Sequence, residues 1–142
     1  MGAALGSLTC VLELPQAMLD RVLAHARRDH PDECCGVIAG RDGVATRLFE
    51  MSNAERSPTG FVFDSAQWLQ VYREIDDADE EFFAVYHSHT MTEAYPSRTD
   101  ITWSRETEFA HWLLVSTRAE QDEVRSYRID DGVVTEEEVR VI

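Results

Sequence analysis

Between positions 86 and 100 the chain reads YHSHTMTEAYPSRTD, and no other stretch narrows its fold as far. Residues 82–89 are mostly apolar and aromatic and close on His87 and His89, a pattern that predicts a strand. Side chains two apart on a strand leave the same face, so both imidazoles point to one side of a sheet. A loop with Pro96 follows, and Ser97 or Thr99 then caps a helix running from about Asp100 towards Glu108. A strand feeding a helix across a short loop belongs to an α/β architecture. Two imidazoles on one face can converge on one ion at about 2.0–2.1 Å from each nitrogen, and Asp100, at the start of the next helix, is a hard oxygen ligand.

The rest of the chain alternates in the same manner. A strand over residues 8–14 precedes Pro15, and Met18, Leu19, Val22, Leu23 and Ala26 then recur at helical spacing. His30-Pro31 ends that helix, because the residue before proline avoids helical angles. Residues 35–39 and 44–51, joined by Arg41-Asp42-Gly43, predict a hairpin. Ser57-Pro58 and Gly60 mark residues 53–60 as a loop before a short strand at 61–63. Asp64 or Ser65 caps a second helix with Trp68, Leu69, Tyr72 and Ile75 on its buried stripe, and the acidic run 76–81 is its solvated end. Strands at 112–117, 124–129 and 133–142 complete the order, the last two turning at Asp130-Asp131-Gly132. The expectation is one mixed α/β sheet domain flanked by helices over residues 8–142, with residues 1–7 a disordered start or an expression remnant.

Composition removes several classes of function. The chain has 142 residues, 44% of them hydrophobic, which suits one domain with a real core. Acidic residues outnumber basic ones 27 to 13 for a net charge of -14, a balance that argues against nucleic acid and membrane as partners. Every basic residue is an arginine, so Schiff-base chemistry and a P-loop lysine are both excluded. The three cysteines, Cys10, Cys34 and Cys35, do not make a secreted disulfide framework. No signal peptide or membrane span is visible, and Gly6 stands where a myristoylation motif needs Ser or Thr. The expected compartment is the cytoplasm.

The spacing His-x-His, seven residues, Ser, two residues, Asp resembles the signature of the JAMM (MPN-type) zinc metalloproteases. That family also uses an upstream glutamate, commonly in a Glu-x-Cys-Gly-apolar-x-x-Gly setting. Here Glu33-Cys34-Cys35-Gly36-Val37-Ile38-Ala39-Gly40 stands ahead of the first hairpin, more than fifty residues before the histidines. From Leu14 onward the chain looks like a minimal JAMM domain with a mixed curved sheet. The segments ARRDHPDE at 26–33, NAERSPT at 53–59 and STR…RSYRI…DG…VTEE are similar to an actinobacterial branch, the Mec-type peptidases. Those enzymes cut the bond between the C-terminal glycine of a ubiquitin-like sulfur-carrier protein and a newly made cysteine.

The resemblance implies a division of labour. His87, His89 and Asp100 hold one Zn²⁺, and the catalytic water takes the fourth position that a catalytic zinc keeps open. Zinc lowers the pKa of such a water from 15.7 to about 7. Glu33 takes the water's proton and later passes it to the leaving amine. Ser97 donates a hydrogen bond to the developing oxyanion. The loop carrying Arg56 flanks the site in the family arrangement. Because a guanidinium fork fits a carboxylate, pairing of Arg56 with the carboxylate of the released amino acid is a further expectation from its chemistry alone. The partner is a sulfur carrier bearing a C-terminal cysteine adduct, and the product feeds cysteine biosynthesis.

Other readings stay open at this level. The chain suits a general trimming peptidase or isopeptidase for other ubiquitin-like tails, or a non-catalytic ubiquitin-like-binding module of the same fold. Such modules have typically lost the histidines or the aspartate. The RadC-type family shares a similar run but usually carries Asn between the histidines and Pro after them, where this chain has Ser88 and Thr90. A zinc deaminase needs a Pro-Cys-x-x-Cys pair, which is absent. The nitrogen and oxygen donors suit zinc without excluding iron, manganese or cobalt. Plainer readings stand beside these: His87 and His89 as strand-end residues with ordinary hydrogen bonds, Ser97 as a helix cap, Glu33 as a turn carboxylate, Arg56 as a surface arginine. Cys10 is structural, and Cys34 and Cys35 face opposite ways, so packing is expected of them rather than chemistry. His25, His30 and His111 are expected at the surface or in packing, and Trp68, Trp103 and Trp112 in the core. Monomer and homodimer are both compatible with the sequence.

Overall fold

A computed structural model of the chain describes residues 10–142; residues 1–7, and Leu8 and Thr9 of the first expected strand, lie outside the described residues. In chain order the elements are β1 (Val11–Leu14), α1 (Gln16–Asp29), β2 (Cys35–Arg41), β3 (Val44–Met51) and α2 (Ser65–Asp77). Then come β4 (Glu81–His89), α3 (Arg98–Ser104), β5 (His111–Ser116), β6 (Glu123–Asp130) and β7 (Val133–Val141). Two Asp-Gly pairs fix the hairpins. Asp42 and Gly43 have φ of 53° and 76°, and Asp131 and Gly132 of 51° and 80°. Two consecutive positive φ angles make the turn whose twist matches that of paired strands.

The strands form one seven-stranded sheet in the order β1-β7-β6-β5-β4-β2-β3. β4 runs parallel to β5, and β1 parallel to β7, while the other neighbours are antiparallel. Because side chains alternate along a strand, the sheet buries two different cores. One is largely aliphatic and lies towards α1, with Leu12, Leu14, Val22, Ile38, Leu113 and Val115. The other is rich in aromatic rings, with Phe63, Trp112 and Tyr127 beside Val71 and Ile75 of α2. Cys34 falls in the first core and Cys35 in the second, as their adjacency requires. Gly36 pairs with Tyr86, and a Cβ there would lie 2.1 Å from the tyrosine ring. Only glycine lets that ring lie against the strand.

Three expectations are corrected. Residues 61–63 are not a strand; Phe63 makes only an isolated bridge to Asn53. The Asn53 side chain takes backbone groups a ladder would need, donating to Gly60 O at 2.9 Å and accepting from Val62 N at 3.2 Å. Asp64 caps α2 by accepting from Gln67 N at 2.9 Å, but Leu69 is 50% exposed, and Val71 and Ile75 are the residues buried from this helix. Finally, α3 stops at Ser104 rather than near Glu108. Backbone bonds from Arg105 N to Thr102 O and from Glu106 N to Trp103 O tighten its last turn and close it. Among the described residues no helix is long and apolar enough to cross a membrane.

Candidate active site

The register of β2 against β4 assembles the site, because it sets Cys35 opposite His87. The segment just before β2 is then stapled to the end of β4. Ser88 N donates to Cys34 O at 3.1 Å, and Cys34 N donates to Ser88 Oγ at 2.8 Å. Glu33 is thereby brought beside the two histidines, although more than fifty residues separate them. Glu33, His87 and His89 are all buried, and each offers one donor atom within 4.8 Å of the others.

Asp100 arrives from α3. Its backbone N–H donates to Ser97 Oγ at 3.1 Å, and its Oδ2 accepts from Ser97 N at 2.8 Å, a reciprocal cap that locks the carboxylate. The same Oδ2 lies 3.1 Å from His87 Nε2 and 3.6 Å from His89 Nε2. Ser97 Oγ uses a lone pair on the helix, which leaves its hydrogen available to a ligand.

The donor set fits a metal cation. His89 Nδ1 lies 2.8 Å from Glu93 O, and a carbonyl only accepts, so Nδ1 carries the hydrogen. In the neutral ring Nε2 is then a lone pair turned towards the Asp100 carboxylate. A positive charge between Nε2 and the carboxylate, a proton or a metal ion, satisfies both, and a histidine oriented by a backbone carbonyl is the usual support of a metal ligand. The titration directions agree. Burial pulls the His89 imidazole down, but bonds to Asp100 and Glu93 and nearby negative charge outweigh it, and the net shift is up. Burial alone would raise the Asp100 carboxyl, yet the His87 charge and the bonds from His87, His89 and Ser97 hold it well below the usual carboxylate range. Nitrogen and carboxylate donors together suit zinc.

Burial pushes the Glu33 carboxyl up to about 7, with the two imidazoles pulling against it. A carboxyl titrating near neutrality can both take and give a proton. Burial also pushes the Cys34 thiol up to about 12 and raises Cys35, which leaves both as packing residues.

Glu33, His89, Ser97 and Asp100 lie on one cavity of about 710 Å³, walled by Phe61, Val62, Phe63, Trp68, Met91 and Trp103. Trp68 and Trp103, expected in the core, are half-buried and line this cleft, whereas Trp112 stays inside at 1% exposure. Phe61 packs on His87 with ring centres 4.6 Å apart. Arg56 lies elsewhere: with Glu33 it lines a second cavity of about 480 Å³. His25, His30 and His111 do not join the site and bond instead to Tyr86, Thr117 and Glu137.

Asn53 is the residue that sequence reasoning missed. Its Nδ2 donates to Glu33 O at 3.0 Å and to Gly60 O, while its Oδ1 accepts from Glu55 N at 3.0 Å and from Val62 N. It therefore ties Glu33 to the cleft wall. The one local signal is an asparagine at the mouth of a Ser-Pro and glycine loop, which reads as turn chemistry.

Comparison with known proteins follows the same lines. Residues 15–130 match the family model described as prokaryotic homologs of the JAB domain. The CysO-cysteine peptidase of Mycobacterium tuberculosis is 53% identical, over 93% of this chain and 92% of the relative. The probable TtuB-protein conjugate cleaving protease of Thermus thermophilus is 30% identical, over 86% of this chain and 78% of its own. A JAB1/MPN domain protein from Archaeoglobus fulgidus shares the fold with a TM-score of 0.59 at 21% identity, over 91% of this chain and 97% of that one.

Proposed function

Because the chain belongs to the prokaryotic JAB-domain family and is a peptidase of the JAMM type, we propose that it releases cysteine from the C-terminal glycine of a ubiquitin-like sulfur-carrier protein, a cytoplasmic step of cysteine biosynthesis. The observation that carries this reading is the convergence of Glu33, His87 and His89 within 4.8 Å, with Glu33 and His89 lining an apolar cleft. Glu33 matches a general base held at the scissile bond, and the aromatic walls match an extended, weakly polar tail.

His87, His89 and Asp100 would hold the metal, and zinc there would supply Lewis-acid polarisation of the scissile carbonyl and a more acidic attacking water. Glu33 takes a proton from that water as its oxygen adds to the carbonyl carbon. The same carboxyl then gives the proton to the nitrogen as the C–N bond breaks, so the carrier leaves as an acid and cysteine as an amine. Ser97 Oγ–H stabilises the charge that develops on the carbonyl oxygen. Asp100 stays ionised throughout, since its bonds hold its pKa low. Phe61, Trp68 and Trp103 exclude bulk water from the cleft, which strengthens each of these interactions. The likeness to the Thermus protease favours a second reading, in which the same residues trim other ubiquitin-like conjugates.

A Gly-Gly-ended carrier bearing one C-terminal cysteine tests the proposal by mass spectrometry. The zinc-loaded wild type should remove one cysteine, while chelator-treated protein and Glu33→Ala leave the adduct whole. An intact adduct with the zinc-loaded wild type would overturn it.

A further inference from the structure

Glu33 borders two cavities of opposite character. The cleft on one side is apolar and aromatic, whereas the second cavity is walled by charge: Arg28, Asp29, Asp32, Glu50 and Arg56. A bond cleaved at Glu33 therefore has one side available to an apolar tail and the other to a small polar leaving group.

The cations of the second cavity are not equivalent. Arg28 Nη2 is committed to Glu50 Oε1 at 2.7 Å. His25 is buried, 2.7 Å from Tyr86 OH and 3.2 Å from Asp29. Arg56 makes no ion pair and no side-chain hydrogen bond among the described residues, although the chain carries 27 carboxylate side chains. The loop that carries it is tied to Glu33 on both sides. Glu33 N donates to Ser57 O at 2.8 Å, and Asn53 Nδ2 donates to Glu33 O at 3.0 Å. Arg56 itself sits at φ 49°, with its N–H donating to Asn53 O at 3.1 Å. A bulky residue adopts that left-handed conformation only where its surroundings hold it there.

We propose that this cavity is the subsite for the leaving amino acid, with Arg56 taking its α-carboxylate and the acidic side chains beside Glu33 taking its new α-ammonium. A guanidinium fork matches a carboxylate, and the ammonium forms where Glu33 delivers its proton. The subsite makes the enzyme selective for a carrier that ends in one further residue with a free carboxylate. A lysine joined through its side chain presents no carboxylate at that place. The inference rests on the hydrolase reading above and adds leaving-group specificity to it.

The test uses two zinc-loaded assays on a carrier ending in Gly-Gly-Cys, one with the free acid and one with the α-amide. The wild type should prefer the acid by about 10- to 100-fold in kcat/KM. Arg56→Ala should bring the ratio to within about twofold by raising KM for the acid, and Arg56→Lys should fall between. Arg73→Ala, on the outer side of α2, should keep the full ratio, and thermal melting should show Arg56→Ala folded. Equal cleavage of acid and amide by the wild type, or an unchanged ratio in Arg56→Ala, overturns the subsite while leaving the hydrolase standing. If the wild type cleaves neither, the hydrolase reading fails on its own. The subsite is then decided by NMR: the Arg56 Nε–H signal should move with L-serine and not with serinamide, and no movement with L-serine overturns it.

Discussion

On the aromatic face of the sheet, His87 and His89 meet Asp100 Oδ2 at 3.1 and 3.6 Å. On the aliphatic face, His111 Nδ1 meets Glu137 Oε2 at 2.6 Å, and Ser126 Oγ donates to the same oxygen at 2.7 Å. Both groups are buried, and both combine imidazole, carboxylate and a serine. Their places differ. The first pair sits at the C-terminal end of β4, where a strand parallel to its neighbour gives way to loops and a cavity opens. The second begins at the first residue of β5 and is closed over by Phe83, whose ring lies 4.8 Å from His111. The chemistry of a histidine–carboxylate pair thus does not assign its role. What separates the two is a second imidazole, a further buried carboxyl at Glu33 and an open side, present at one and missing at the other.

Substitutions can break that contrast or sharpen it. The largest effect is expected from His89→Ala, which should lose its zinc and roughly 10³-fold or more in kcat. His111→Ala should keep its zinc, and activity per folded molecule should stay within about twofold of wild type. Metal analysis alongside kcat reads both, and zinc loss in His111→Ala would erase the distinction. Next comes Glu33→Gln, where kcat should fall about 10²- to 10⁴-fold while zinc content stays unchanged. A variant with near-normal turnover would remove Glu33 as the base. Glu137→Ala should cost about 1–3 kcal/mol in urea unfolding by orphaning His111 and Ser126, with kcat unaffected. A stability loss within error would show that the closed pair is not structural.

The smallest effect concerns pH and also belongs to the aliphatic face. Burial lowers the pKa of His25 from its usual 6.5, with Asp29 and Glu50 opposing. The unfolded chain therefore takes up a proton near pH 6.5 that the folded chain refuses. Stability from this group is fully present above 6.5 and is lost as pH falls from 6.5 towards the lower folded value. Denaturation curves of wild type and His25→Gln, compared between pH 7.5 and 5.5, should diverge in that window. Parallel curves would remove His25 as the source.

How much of this was legible depends on the range of the interaction. Ser97 as a cap, the Asp-Gly turns and the common face of His87 and His89 are set within a few residues, so periodicity and turn chemistry reach them. The stop of α3 at Ser104 is set by backbone bonds that leave no side-chain signal, and the buried face of α2 is set by tertiary packing. At 61–63, where no strand forms, the Asn53 side chain occupies backbone groups, and its four bonds span from Glu33 to Val62. Nothing in the local pattern distinguishes such a clamp from an ordinary loop asparagine.

The sequence by itself determined the donor types and their local geometry: two imidazoles on one strand face and a carboxylate at a helix start. Only the tertiary structure decided that Glu33 joins them, that two tryptophans wall a cleft, and that Arg56 lies across Glu33 from it. The reason is physical. Local spacing follows from the periods of helix and strand, whereas the meeting of Glu33 with His87 depends on strand register across more than fifty residues, which is settled by the burial of two cores at once.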